Sequence, residues 1–392
     1  MANLLDSASI LLTPTAYNNG SILAIQPSDG SGDFTFSRGS SATRVNEQGL
    51  IEDVAINLPR IDYTDGCGSW LLEPQSTNSY LNSEPTVNEG NSSGITYESF
   101  NWAIGFTNCV KYGDNSAVRF RYGATVSAST EYTLSAFVIM DDLSEPAIGG
   151  QTSDKDLSLV LGGSVVNANS SVNMGNNIWR VSSTAITSAS PNAGNSGIIK
   201  YTAQSNKGFR VVGYQLEQNS FATSYVPTSG STSTRLADIA NNSGNASLIN
   251  SEEGVLYAEI AALAEENLTR YITLSDGTSS NRIIIYITDI GVIKFFVGVG
   301  GVTQASKTVT GQTTTNFNKL AVSYKENDIK FYLNGVKVHT DTSALTFPNN
   351  TLNIVNFAAA NGTSNPFFGK VKTVAVYKTA LTDEQLTLLT TI

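Results

Sequence analysis

Along most of the chain apolar and polar side chains take turns. Runs such as EYTLSAFVIM (131–140), GFRVVGYQLEQ (208–218), NRIIIYITDIGVIKFFVGVG (281–300), NKLAVSYKENDIKFYLNGVKVHT (318–340) and GKVKTVAVYK (369–378) alternate with a period near two. Successive side chains of a strand point to opposite faces, so this spacing predicts short strands in half-buried sheets. Many such strands separated by turn residues predict β-sandwiches. Asn334-Gly335 supplies both positive-φ residues of a type I′ hairpin between Phe331, Leu333 and Val336, Val338. A second tight turn is expected at Asn327-Asp328. His339 would then lie opposite Val336 and Val338, on the solvent side of an exposed hairpin.

Helical spacing is scarce. The last residues, ALTDEQLTLLTTI, are the exception. Thr382 sits at the N-cap, Gln385 completes a capping box, and Leu381 and Leu386 occupy the two staple positions. Leu386 and Leu389 share a face that can dock on a sheet.

One stretch breaks the alternation. In SWLLEPQSTN (69–78) Trp70, Leu71 and Leu72 run together before Pro74 stops further pairing. This predicts a short strand that clamps the N-terminal segment against a body, its own or a neighbouring chain's. Burying each of the three side chains would stabilise by roughly 1.5–3 kcal/mol. Just upstream, GLIEDVAINLPRIDY offers Ile51, Val54, Ile56 and Leu58 for packing. Arg44, Arg60 and Glu73 are candidates for a buried charge network, because guanidinium forks match carboxylates; ordinary surface pairs are the alternative.

Composition divides the chain. SEPTVNEGNSSG (83–94) and NNSGNASLINSEEG (241–254) read as linkers. The expected parts are an N-terminal region, 1–90, a first sandwich, 91–245, and a second, 250–392. The predicted fold is mostly β: an extended N-terminal region, two antiparallel β-sandwiches and a short C-terminal helix. Charged residues make up only 14 % of the 392 positions, so Ser, Thr, Asn and Gly must supply the polar surface. Net charge is −10 with no basic run, which argues against nucleic acid as a partner. The opening MANLLDSASILLTP lacks the basic start and long apolar core of a leader or membrane span, so no membrane partner and no Sec export are expected. The first 35 residues show little periodicity and are expected to order against a partner.

Candidate chemistry is thin. Cys67 and Cys109 lack CxxC partners, so zinc is not expected, and a disulfide between them is left open. His339 is the single histidine and would have to serve any Ser-His-Asp arrangement. Its exposed position argues against that. The nearest approach to a glucanase-like acid strand, Glu326-Asn327-Asp328-Ile329-Lys330, ends in lysine and falls in a turn. Asp141-Asp142, Glu252-Glu253 and Glu265-Glu266 are adjacent, so in strands they point apart. GVGG (298–301) reads as a hairpin turn. No catalytic residue, metal site or cofactor is assigned; calcium would suit rim positions such as Asp276 and Asp289, but no spacing marks a site. Trp102, Trp179, Tyr201 and Tyr214 read as core in preference to a sugar platform.

Three stretches carry a family resemblance. Phe36-Ser37-Arg38, Ala42-Thr43-Arg44-Val45-Asn46, Gly49-Leu50-Ile51-Glu52, Pro59-Arg60-Ile61-Asp62-Tyr63, Leu71-Leu72-Glu73-Pro74 and Thr77-Asn78 follow one another within 36–78. This series closely resembles the N-terminal signature of tailed-bacteriophage virion proteins. GYQLEQNSFATSYVPTSGSTSTRLAD (213–238) resembles the segment that closes a carbohydrate-binding-module-like jelly roll in those proteins. GVLYAEI, KLAVSYKENDIKFYLNGVKV and GKVKTVAVYKTALTDEQL are similar to laminin-G or concanavalin-like sandwiches. The resemblance implies a head or tail fibre or decoration subunit, made in the host cytoplasm and located in the virion. It implies attachment to other virion proteins through the N-terminal region, a homo-oligomer of the trimeric kind, and a weakly held surface or mucus glycan as ligand. A glycan depolymerase on the same scaffold and a secreted bacterial adhesin are the alternatives.

Overall fold

The computed structural model describes residues 4–88, 91–114 and 117–392. It is built of antiparallel sheets with one short C-terminal α-helix, as the patterning predicts.

The C-terminal sandwich stacks two sheets. One runs Val302–Val309, Val292–Val299, Arg282–Asp289, Arg270–Ser275, Ile354–Asn356. The other runs Val336–Asp341, Ile329–Leu333, Asn318–Lys325, Glu253–Ala262, Gly369–Tyr377, and then continues with strands from the start of the chain. Gly369–Tyr377 would otherwise leave an open edge of unpaired backbone groups. Ile10–Leu12 covers one half of it, with Ile10 opposite Val376 and Leu12 opposite Val374. Ser69–Leu72 covers the other half, with Trp70 opposite Val371 and Leu72 opposite Gly369, and Ile61–Asp62 pairs beyond it. Alternation then decides the destinations: Trp70 and Leu72 enter the core between the sheets with Ile10 and Leu12, while Leu71 faces the other way and is also buried.

The middle sandwich has a five-stranded sheet centred on Ser196–Lys200 and a six-stranded sheet centred on Phe209–Glu217 and Glu131–Met140. Leu134, Ala136, Val138, Leu159, Ile198, Tyr214 and Leu216 pack between them. A second apolar cluster, Trp102, Ile104, Phe106, Phe137, Val212 and Tyr225, lies on the outside of the six-stranded sheet against Ile51.

The chain enters and leaves this lobe at one neck. Ser76–Asn78 pairs with Ser233–Arg235, placing Asn78 opposite Ser233. Phe34–Ser37 then pairs with Ile239–Asn241. Residues 4–78 and 233–392 therefore form one body, and 79–232 are inserted into it. This differs from a serial division at 90 and 245, because the chain passes between the bodies at the paired strands Ser76–Asn78 and Ser233–Arg235, which the composition shifts do not mark. Nor is the N-terminal region a free extended arm: its strands complete the C-terminal sheet.

Local expectations fare unevenly. Asn334 and Gly335 take φ of +50° and +80°, the type I′ geometry, and Asn327 turns at +57°. The helix spans Asp383–Thr390 with Thr382 and Gln385 forming both bonds of the capping box, and it buries Leu386 and Leu389. His339 is a correction. A bulge at Val338 resets the register so that His339 pairs with Phe331, and the two rings stack at 5.1 Å over the core. Its Nε2 makes no hydrogen bond. Ile56 is another: Asn57 turns the chain at φ +59°, ending the alternation after Val54, and Ile56 is exposed.

Candidate functional site: a buried charge cluster and the cleft beside it

The neck is held by charge. Arg60 is fully buried, and its Nη1 donates to Glu73 Oε2 at 2.7 Å, Ser224 Oγ at 2.8 Å and the Thr43 carbonyl at 3.0 Å. Its Nη2 donates to Asp238. Asp238 Oδ1 also takes Arg38 Nη1 at 3.0 Å, and Asp238 Oδ2 accepts the backbone N–H of Glu73 at 2.9 Å. Glu73 further accepts the backbone N–H and hydroxyl of Ser224 at 2.7 and 2.6 Å. Arg235 stands 3.5 Å from the same carboxylate. Burial alone would raise the Glu73 carboxyl; Arg235, Arg60 and the two Ser224 bonds outweigh it and hold that group at about 2. Buried charges are tolerated only when paired and hydrogen-bonded in this way.

The cluster joins three distant parts of the chain: the motif segment 38–73, the loop at 224 and the return strand at 235–238. Asn78 adds a neutral latch. Its amide donates to the Tyr214 and Val226 carbonyls at 3.0 and 2.8 Å and accepts from Tyr80 and Leu216. Of the residues singled out in the sequence, Arg60 and Glu73 meet here, and Trp70 and Leu72 pack behind them in the core. Arg44 does not join. It pairs with Glu52 at 2.7 Å on the partly exposed hairpin Ala42–Val45 and Ile51–Val54. Arg38, Arg235 and Asp238 complete the cluster without having been site candidates, although all three stand in quoted motif stretches. The signal was their position in Phe-Ser-Arg and Thr-Arg-Leu-Ala-Asp, 200 residues apart in the Arg38–Asp238 pair.

Beside the cluster a cleft of about 440 Å3 opens between the two bodies. One wall is the N-terminal region with Asp62, Asp65, Leu71 and Glu73, plus Lys370. The facing wall is the outer side of Asn169–Asn173 and Trp179–Ile186, with Ser170, Arg180, Ser182 and Thr184, and the loop Ser220 to Tyr225. Every carboxylate lies on the first wall, and each is engaged: Asp65 with Lys370, Asp62 by the backbone N–H groups of Val45 and Thr64, Glu73 in the cluster. Among the described residues, the carboxyl that burial pushes up is Glu84, bonded by Tyr225 and repelled by Asp53, and it is not part of the cleft lining.

Cys67 is exposed and Cys109 buried, both as free thiols. Trp102 and Tyr214 are core, while Trp179 and Tyr201 are half-buried. Asp276 caps its own turn through Thr278 and Asn281, and no three His, Cys, Asp or Glu converge as a metal cage among the described residues.

Residues 261–387 match a laminin-G family model of the concanavalin A-like lectin/glucanases superfamily. The C-terminal lobe is thus concanavalin-like. No curated protein matches the chain. Similar solved structures include the CBM40 of the Ruminococcus gnavus IT-sialidase bound to alpha2,3 sialyllactose, at 18 % identity over 38 % of this chain and 93 % of that one, TM-score 0.33. The leech intramolecular trans-sialidase aligns at 17 % identity over 39 % of this chain and 26 % of its own, TM-score 0.31. A SAP-like pentraxin from Limulus polyphemus aligns at 13 % over 36 % and 70 %, TM-score 0.29. All three likenesses are partial and shallow.

Proposed function

We propose that this chain is a structural protein of a bacteriophage particle, a head or tail fibre or decoration subunit, that displays two sandwiches for weak binding to glycans. The observation that carries the reading is the convergence of the signature side chains. Arg38, Arg60, Glu73 and Asn78, which stand in the stretch resembling phage virion proteins, all meet at the neck and fix one sandwich against the other. A display protein needs such a fixed joint.

Attachment to the particle through residues 1–90 and a trimeric assembly belong to the same reading. Because Arg38, Arg60, Glu73 and Asn78 are buried, the contact with other virion proteins falls to the exposed surface of that region. The concanavalin-like lobe and the hydroxyl-lined cleft support a glycan ligand. Binding without cleavage is supported by the cleft's carboxylates, which share one wall and are all engaged, whereas glycoside hydrolysis needs two acids across the sugar.

Mass spectrometry of purified particles should find the chain in stoichiometric amount; its absence would refute the virion role. Incubation with bacterial surface polysaccharide should leave the reducing-end count unchanged. Release of oligosaccharide would replace the binding reading with a depolymerase.

A further inference from the structure

Arg180 is the basic group of this cleft that has no carboxylate in direct contact among the described residues. It stands in Trp179–Ile186 on the wall that bears no carboxylate. Among the described residues no carboxylate pairs with it within 4.0 Å; Glu217, Glu73 and Asp62 act on it only from farther away. Its Nη2 is tied to the Thr223 carbonyl at 2.5 Å and Ser135 Oγ at 3.3 Å, and its guanidinium lies 5.5 Å from the Phe137 ring centre. The head group is therefore oriented before any ligand arrives. Its Nε makes no hydrogen bond.

The other basic groups of the cleft are satisfied. Arg44 binds Glu52, and Lys370 binds Asp65. Around Arg180 the lining is Ser170, Ser182, Thr184 and Ser220, with Phe221 beside them. Hydroxyls of this kind match a sugar's own hydroxyls, and an aromatic edge matches its C–H face. A lone, pre-set guanidinium among them selects a carboxylate, since Arg–carboxylate bonds are about twice as strong as neutral ones.

We propose that this cleft binds a saccharide unit carrying a carboxylate, a hexuronic or nonulosonic acid, with the acid group on Arg180 and the ring along Ser182 and Thr184. The inference rests on the glycan-binding reading and narrows it to one site and one ligand class. The ligand supplies the direct carboxylate contact that Arg180 lacks among the described residues and occupies the cleft of about 440 Å3.

The test is isothermal titration of the full chain with a hyaluronan tetrasaccharide, free N-acetylneuraminic acid and, as the neutral match, cellotetraose. At least one acidic probe should bind, and cellotetraose should bind at least tenfold more weakly. Arg180→Gln should weaken the acidic probe at least tenfold. Ser182→Tyr, which fills the cleft and leaves the guanidinium in place, should do the same and serves if Arg180→Gln does not fold. Raising salt from 50 to 300 mM should weaken the acidic probe alone. Equal affinity for cellotetraose, or acidic binding untouched by both variants, would overturn this inference while leaving glycan binding intact. No binding to any saccharide across a broad glycan array would overturn both.

Discussion

The middle sandwich takes every strand of its two sheets from residues 92–217, whereas the C-terminal sandwich closes one of its sheets with strands from residues 10–72. The first is a self-contained insert with its ends paired at the neck. The second is a composite, whose core holds Ile10, Leu12, Trp70 and Leu72 beside residues more than 200 positions away. The contrast says where autonomy lies. The middle lobe owes no strand of its two sheets to the rest of the chain, and the lobe with the recognisable family match owes the closing strands of one sheet to the start of the chain.

That contrast is broken most sharply by fragments. Residues 79–232 alone should fold and melt cooperatively. Residues 250–392 alone should not. Losing Ile10, Leu12, Trp70 and Leu72 alone removes about 6–12 kcal/mol at 1.5–3 kcal/mol each, which is comparable with the whole stability of a domain, and Ile22, Phe34, Phe36 and Ile61 go with them. Adding residues 1–78 in trans should rescue it. Conversely, because Asn78 sits opposite Ser233, an Asn-Gly turn joining the two should replace the middle lobe and leave the composite body folded. A sharp, dispersed amide spectrum from isolated 250–392 would refute the composite.

The joint between the bodies comes next. Arg60→Ala leaves Glu73 and Asp238 buried without their shared partner, and should cost about 3–5 kcal/mol. Denaturant melts read the loss, and small-angle scattering should show the lobes separating before either unfolds. Acid probes the same joint more gently. The Glu73 carboxyl is held below its ordinary 4.5 at about 2, so its contribution is complete above 4.5 and is lost as the pH falls toward 2. About 3 kcal/mol should disappear over that window, from a shift of some two and a half pH units. Glu73→Gln should be less stable at pH 7 and should flatten the dependence between pH 4.5 and 2. An unchanged slope would show that other carboxylates drive the acid transition.

Much of this was legible. Period-two alternation marks the strands, Asn334-Gly335 the hairpin, and Thr382 with Gln385 the helix start, because each is a local rule. The strandlike character of Ser69–Leu72 was also legible, but not its partner: pairing Trp70 with Val371 is a tertiary choice that no local spacing encodes. The same limit hides the charge cluster. Arg60 and Glu73 announce themselves as an arginine and a glutamate in an apolar setting, while Asp238 and Arg235 lie in a polar run, STSTRLAD, that reads as a loop. His339 fails for another reason. A single bulged residue, Val338, inverts the face of everything after it, and bulges leave no trace in hydropathy.

Arg44 supplies the smallest effect and the cleanest control on the joint. It shares the signature stretch with Arg60 and makes an ion pair of the same length, 2.7 Å in each case. The difference is solvent. The Arg60 and Glu73 side chains are 0 % and 3 % exposed, and those of Arg44 and Glu52 are 18 % and 38 % exposed. Water screens the second pair and solvates whichever partner survives a deletion, so Arg44→Ala should cost about 1 kcal/mol or less. It should also lose most of that cost in 0.5 M salt, while Arg60→Ala should be nearly indifferent to salt because ions cannot reach it. Parallel urea melts of the two variants at low and high salt measure both. A cost for Arg44→Ala equal to that of Arg60→Ala would mean that the hairpin, and not the buried cluster, holds the two bodies together.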